Sequence, residues 1–161
     1  MNVTIRRGSS AEDVNSVVRM HREVYETEYG LDPSFASDVA TQLAELRRRG
    51  WPGPGEGLWL AELEGRVVGS ITLYELGGGT GRLGDLVLMP EARGSGAGRR
   101  LVERVLDAAR AAPYERLELE TFGDLTAAGS LYRSVGFEKV SDEHTVRWGR
   151  EMDWQRYELE L

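Results

Sequence analysis

Hydrophobic and polar positions change period several times along this chain, and each change predicts an element. Val3–Arg7 alternates apolar and charged residues, as a short strand does. Val14, Val17, Val18, Val24 and Tyr25 then recur at helical spacing as far as a stop at Gly30. Ser9 or Ser10 offers the N-cap of this helix, and Glu12 and Asp13 suit the positive end of its dipole. A second helix is predicted from Pro33 or Ser34 to Arg49, with Phe35, Val39, Leu43 and Leu46 inward. The breaker-rich stretch Gly50-Trp51-Pro52-Gly53-Pro54-Gly55 ends it and is too short to link two domains.

Three runs follow, Leu58–Leu63, Arg66–Leu76 and Arg82–Met89, divided by Glu64-Gly65 and Gly77-Gly78-Gly79. Short glycine-rich turns between apolar runs predict an antiparallel meander. From Gly96 to Ala111 the period is helical again, with Leu101, Val105, Leu106 and Ala109 on one stripe. Leu117–Thr121 is then a strand, Leu125–Ser134 a helix, and Phe137–Val146 and Met152–Leu161 strands. The order βααβββαβαββ predicts the α+β class, a mainly antiparallel mixed sheet flanked by helices. No repeat or low-complexity segment interrupts it.

Length and composition narrow the picture. The 161 residues fit one domain spanning 1–161, and 40% hydrophobic with 29% charged residues is ordinary for a globular chain. A net charge of −7 argues against a nucleic-acid partner, since phosphate backbones need a basic face. With no cysteine, thiolate nucleophiles, Cys-ligated zinc and iron–sulfur clusters are excluded. His21 and His144 are too few and too far apart in sequence to argue a metal site. The opening MNVTIRRG lacks the apolar core of a signal peptide, and no apolar run approaches the ~20 residues of a membrane span. A cytoplasmic protein without a membrane partner is the expectation.

The stretch richest in chemistry is Leu83–Leu101: a strand, then Arg93-Gly94-Ser95-Gly96-Ala97-Gly98-Arg99-Arg100, then a helix. Glycines at 94, 96 and 98 let the backbone approach a ligand and turn its amides outward. The opening helix adds free N–H groups and about half a positive charge, and Arg93, Arg99 and Arg100 reinforce this anion site. A diphosphate is the obvious guest. The Walker loop needs Gly-Lys-Ser/Thr, whereas Gly98 is followed by Arg99-Arg100. The dinucleotide fingerprint needs Gly-x-Gly-x-x-Gly early in a βαβ unit, and neither the spacing nor the preceding meander matches it.

Arg93-Gly94-Ser95-Gly96-Ala97-Gly98 resembles the Arg/Gln-x-x-Gly-x-Gly/Ala signature of the GNAT (Gcn5-related) N-acetyltransferases. A second motif, Ala127–Glu138 with Tyr132 and Gly136-Phe137, resembles the family's Ala-x-x-x-Tyr…Gly-Phe element. The two stand in the right order, and the likeness covers essentially the whole chain. His21–Gly30 and Trp148–Met152, with the tail Tyr157–Leu161, also look like the acetyltransferase half of proteins that join a MarR-type regulator to a GNAT domain.

The resemblance implies the GNAT fold and acetyl transfer from acetyl-CoA to a primary amine of a small molecule or peptide, by direct attack and without a metal. It implies that pantetheine lies along the fourth strand at Val87, Leu88 and Met89, with the main chain from Arg93 through Gly94, Ser95, Gly96, Ala97 and Gly98 to Arg99 on the diphosphate. Tyr132 corresponds to the tyrosine that protonates the departing thiolate. The general base is Asp85 on the fourth strand or, second, Glu120 on the fifth; Glu120, Tyr25, Tyr29 and Trp148 fall where the family contacts its acceptor. Dimerisation is common in such folds. One departure stands out: where many members carry an Asn before the tyrosine-bearing helix, this chain has Phe122-Gly123-Asp124-Leu125-Thr126, with Asp124 or Thr126 available only as a cap. The alternative function is an acyl-CoA sensor or interaction domain that keeps the cofactor groove without catalysis.

Overall fold

A computed structural model describes residues 2–161. Its elements are β1 (Val3–Gly8), α1 (Ala11–Tyr29), α2 (Ser34–Arg48), β2 (Gly57–Leu63), β3 (Arg66–Gly77), β4 (Thr80–Leu88), α3 (Ala97–Ala111), β5 (Arg116–Phe122), α4 (Thr126–Ser134), β6 (Glu138–Arg147) and β7 (Arg150–Glu160). A 3₁₀ turn, Pro90–Ala92, joins β4 to the glycine loop. The order is the one the periodicity predicts, and the class is α+β.

The strands form one seven-stranded sheet in the order β1-β2-β3-β4-β5-β7-β6. Every pair is antiparallel except β4 with β5. Alternation along β2 divides the core between two faces. Trp59, Ala61 and Leu63 meet Leu101, Val102, Val105 and Ala109 of α3, while Leu58 and Leu60 meet Val14 and Val17 of α1 and Val39, Leu43 and Leu46 of α2. Each Leu or Val buried in this way is worth about 1.5–3 kcal/mol.

Local chemistry sets the boundaries. Ser10 caps α1 in a capping box with Asp13, and Gly30 ends the helix at φ 68°. Asp13 also pairs with Arg6 of β1 at 2.9 Å, which ties the first strand to the helix that follows. The expected cap of α4 is absent: Leu125 occupies the N-cap without a side-chain bond, and Asp124 instead pairs with Arg150. The arginine on β7 takes the carboxylate that a capping role would need.

One seam in this sheet is incomplete. Strands β4 and β5 pair in parallel only at Thr80–Arg116, Gly81–Leu117 and Arg82–Glu118. Beyond these three pairs they diverge, while β4 stays bonded to β3 and β5 to β7. The fold thereby opens a cleft in the middle of its sheet.

Candidate active site

The cleft begins at a bulge in β4. Ser70 and Thr72 of β3 oppose Val87 and Gly84, so β4 carries one residue more than its partner over this stretch. Asp85 absorbs the surplus with φ 50°, in the left-handed region that a non-glycine residue seldom adopts. Two side chains of β3 secure it: Ser70 Oγ donates to the Asp85 carbonyl at 2.8 Å, and Thr72 Oγ1 donates to its carboxylate at 2.9 Å. A left-handed residue held this firmly re-aims its carboxylate, and bulges of this kind recur beside active sites.

On one side of the bulge lies a groove of about 280 Å³ walled by Val24, Tyr25, Tyr29, Leu86–Leu88, Arg93, Gly98 and the first turns of α4. It runs toward the glycine loop. Gly94 and Gly96 have φ 76° and 84°, and a Cβ on either would meet open space. Backbone conformation, then, is what requires glycine here. Gly98 differs: a Cβ there would sit 3.3 Å from Leu88 Cδ1, so its absence lets α3 close on β4. Among the described residues the amides of Gly94, Ser95, Gly96, Gly98 and Arg99 donate to no protein acceptor, whereas the Ala97 amide donates to Ser95 Oγ. Five free donors at the mouth of a 15-residue helix make an anion site.

The three arginines expected to add charge there have partners elsewhere. Arg93 makes a two-pronged pair with Glu28 at 2.8 and 2.9 Å and also donates to the Leu88 carbonyl, clipping α1 to the end of β4. Arg99 donates to Ser134 and Arg100 to the Val3 carbonyl. Glu28 neutralises Arg93, whereas Arg99 and Arg100 donate to neutral acceptors and keep their charge beside the loop, adding to the free main-chain amides. Val87 and Leu88 line the groove, whereas the Met89 amide is taken by the Val68 carbonyl at 2.8 Å.

On the other side lies a second cavity, also of about 280 Å³. Seven aromatic rings wall it: Tyr25, Phe35, Tyr74, Phe122, Tyr132, Trp148 and Trp154. Phe35 and Trp148 pack edge to face at 4.9 Å, and Trp148 meets Trp154 at 5.6 Å. Carboxylates fix the indoles: Asp38 accepts from Trp148 Nε1 and Glu120 from Trp154 Nε1, each at 2.8 Å. The one arginine on the wall, Arg82, already donates to Glu118 and Glu120 at 2.7 and 3.0 Å. Tyr25, Leu86, Leu125 and Ala128 border both spaces, so cavity and groove share a wall.

The ionisable groups on this wall are strongly perturbed. Burial raises the Asp85 carboxyl above the usual carboxylate range, against the pull of His21 and the Thr72 hydroxyl. Burial also raises the Tyr132 phenol above its ordinary range, so it stays a protonated donor, and among the described residues no side-chain hydrogen bond engages its hydroxyl. His21 lines the same cavity as Asp85, and burial lowers its basicity while the carboxylate opposes that fall.

Of the residues singled out in the sequence, Tyr132, Asp85, Glu120, Tyr25 and Trp148 line this cavity together, whereas Tyr29 walls only the groove. Glu120 is engaged by Arg82 and Trp154 through both its oxygens, which leaves it poorly placed to take a proton. The sequence reading missed His21, Asp38, Tyr74, Phe122 and Trp154. A signal for His21 was present: it falls on the inward stripe of α1 with Val14, Val17 and Val24, a polar residue at an apolar position. Among the described residues no cluster could hold a metal ion, and no helix is long and apolar enough to cross a membrane.

Comparison with known proteins agrees with this geometry. Residues 17–137 match the model of the acetyltransferase (GNAT) family. An IAA acetyltransferase of Azospirillum brasilense is 35% identical over 137 residues, which cover 84% of each chain. The uncharacterized N-acetyltransferase YjgM of Escherichia coli is 30% identical over 139 residues, 84% of this chain and 83% of that one. The structure of yncA from Salmonella typhimurium, a putative acetyltransferase with its cofactor acetyl-CoA, superposes with a TM-score of 0.78 at 21% identity, over 99% of this chain and 94% of the other. This chain belongs to the acetyltransferase (GNAT) family, and its class of activity is acyl transfer.

Proposed function

We propose that this protein moves an acetyl group from acetyl-CoA to the primary amine of a small cationic molecule with an apolar or aromatic body. The observation that carries the reading is the shared wall: a groove ending in free amides meets an aromatic, acidic cavity at the bulged strand. The main chain from Arg93 through Gly94, Ser95, Gly96, Ala97 and Gly98 to Arg99 receives the diphosphate. Pantetheine lies along Val87 and Leu88 in the opening between β4 and β5, with Tyr29 on its outer side. The acetyl group thus arrives at the cavity, next to Tyr132.

Transfer is by direct attack. The amine nitrogen bonds to the thioester carbonyl carbon, the C–S bond breaks, and the thiolate takes a proton from Tyr132. A thiol of pKa about 8.5 leaves readily even unaided, so this donation is worth about 10²–10⁴-fold rather than being absolute. The amine arrives charged, and freeing it at pH 7 costs about 4–5 kcal/mol for a lysine-like pKa of about 10.4, against about 1 kcal/mol for an α-amine. Asp85 supplies negative charge for that step. Asp38 and Glu120 attract the ammonium group, and the rings around them favour a cation on an apolar body. An acceptor with a free carboxylate would meet those carboxylates with Arg82 already engaged. The likeness to the acetyltransferase half of MarR-fused proteins rests on His21–Gly30 and on Trp148–Met152 with the tail Tyr157–Leu161; Tyr25 of the first segment shares one apolar cluster with Met152 and Trp148 of the second.

The test is an acceptor screen with acetyl-CoA in matched pairs, phenethylamine against phenylalanine and tryptamine against tryptophan, read as coenzyme A release and product mass. The amine of each pair is acetylated at least ~10-fold faster, the scale of one misplaced charge. Tyr132→Phe lowers kcat by about 10²-fold or more while acetyl-CoA still binds. Coenzyme A binding without acetylation of any amine overturns the reading in favour of a sensor.

A further inference from the structure

We infer that His21 is the group that takes the proton from the incoming amine, with Asp85 facing the imidazolium that results, an assignment that rests on the acetyl-transfer reading above. Geometry leaves His21 one free nitrogen. Its Nδ1 lies 2.7 Å from the Val17 carbonyl, one helical turn back, and a carbonyl can only accept, so Nδ1 carries the proton. Nε2 is then a bare lone pair. The ring is 3% exposed, stacks on Tyr25 at 5.5 Å and 11°, and meets Phe35 at 6.2 Å, so it is held in one orientation on the wall of the acceptor cavity.

Asp85 borders the same cavity and is joined to His21 by neither a hydrogen bond nor an ion pair. Imidazole and carboxylate thus flank the space in which an amine must lose its proton. This is the logic of a dyad in which the carboxylate stabilises a transient imidazolium without itself taking the proton. The strained conformation of Asp85 and the two β3 hydroxyls that secure it give the bulge a purpose: without the extra residue, the side chain at this position would follow the ordinary alternation of the strand.

The step balances. Of the three protons on the ammonium nitrogen, one passes to His21 Nε2 and on to solvent. A second ends on the sulfur of coenzyme A by way of Tyr132, and the third remains on the new amide. The groups facing His21 that bear on its charge are Asp85 and Arg82 on β4, Asp38 on α2, Tyr74 on β3, Glu120 on β5, Tyr132 on α4 and Tyr25 on its own helix. Arg82 is paired with Glu118 and Glu120, and Asp38 is held by the Trp148 indole, so Asp85 is the charge that acts on the imidazole. Burial depresses the basicity of the imidazole, which keeps it unprotonated and ready at neutral pH.

The experiment is steady-state kinetics with acetyl-CoA and phenethylamine between about pH 5 and pH 8, the range in which an imidazole changes charge. In the wild type, kcat/KM for the amine falls on an acid limb. His21→Gln lowers kcat by about 10²–10⁴-fold, removes that limb and leaves the KM for acetyl-CoA unchanged. Asp85→Asn, which tolerates the left-handed backbone, moves the limb to lower pH because the imidazolium loses its counter-charge. Should His21→Gln fail to fold, the Asp85→Asn profile decides alone. A His21→Gln enzyme that keeps both rate and limb, or an Asp85→Asn limb that does not move, overturns the assignment while acetyl transfer stands. A wild type that acetylates no amine overturns both.

Discussion

Gly96 and Ser95 sit side by side in the glycine loop with opposite demands. Gly96 caps α3 with φ 84° and contributes only its amide, whereas the Ser95 side chain bonds the Ala92 carbonyl and the Ala97 amide. A β-branched residue in the left-handed region costs about 1–2 kcal/mol or shifts the loop. Gly96→Val therefore weakens coenzyme A binding by about 10-fold or more, and Ser95→Ala by less than about 3-fold, as titration calorimetry would record. Residues of this kind were legible, because a glycine pattern before a helix has few other uses. His21 was legible only as a polar residue on an apolar helical stripe; its meaning comes from Asp85, which lies 64 positions away and is delivered by a different element.

At the scale of elements, the alternation of period was enough to order eleven strands and helices, since each buries one face against a common sheet. The bulge escaped that reading. Leu83-Gly84-Asp85-Leu86-Val87 reads along the chain as an uninterrupted strand, and only the pairing with β3 exposes the surplus residue. The start of β4 was placed two residues late for a related reason: Thr80 and Gly81 are strand because β5 pairs with them. Helix α1, by contrast, announced its own cap. Ser10→Ala removes the bond to the Asp13 amide and lowers stability by about 1 kcal/mol, a loss of about 2–4 °C in melting temperature. Asp13 adds a pH dependence. The Arg6 guanidinium, and after it the amides of Ser9 and Ser10, hold its carboxyl well below the usual range near 3.8. Its stabilisation is thus complete above that range and is lost as the pH falls below it. The stability difference between wild type and Asp13→Asn, measured by urea unfolding, narrows from pH 5 toward about pH 2.

For the molecule as a whole, a guest that completes the sheet must also stabilise it. Acetyl-CoA at about 100 times its dissociation constant adds about 2.7 kcal/mol, or roughly 5–10 °C in a thermal melt of a chain this size. A melting temperature that stays put with millimolar acetyl-CoA removes the cofactor from the groove and the catalytic scheme with it. The fold itself was legible because two separated motifs and the order of elements agreed. The chemistry of the acceptor cavity was not, since its wall is assembled from residues of α1, α2, β3, β4, β5, α4 and β7, elements far apart in the sequence.

The three-pair seam between β4 and β5 has a consequence for how such a molecule can change over time. On the proposed reading, recognition along it falls to peptide groups, which every amino acid possesses in identical form. Replacing chamber residues that do not also border the groove, such as Tyr74, Trp148 or Trp154, alters which amine is welcome and leaves the docking of the donor untouched. Donor and acceptor specificity are thereby written in two separate media, backbone and side chain, and the second can be rewritten while the first is conserved by geometry alone.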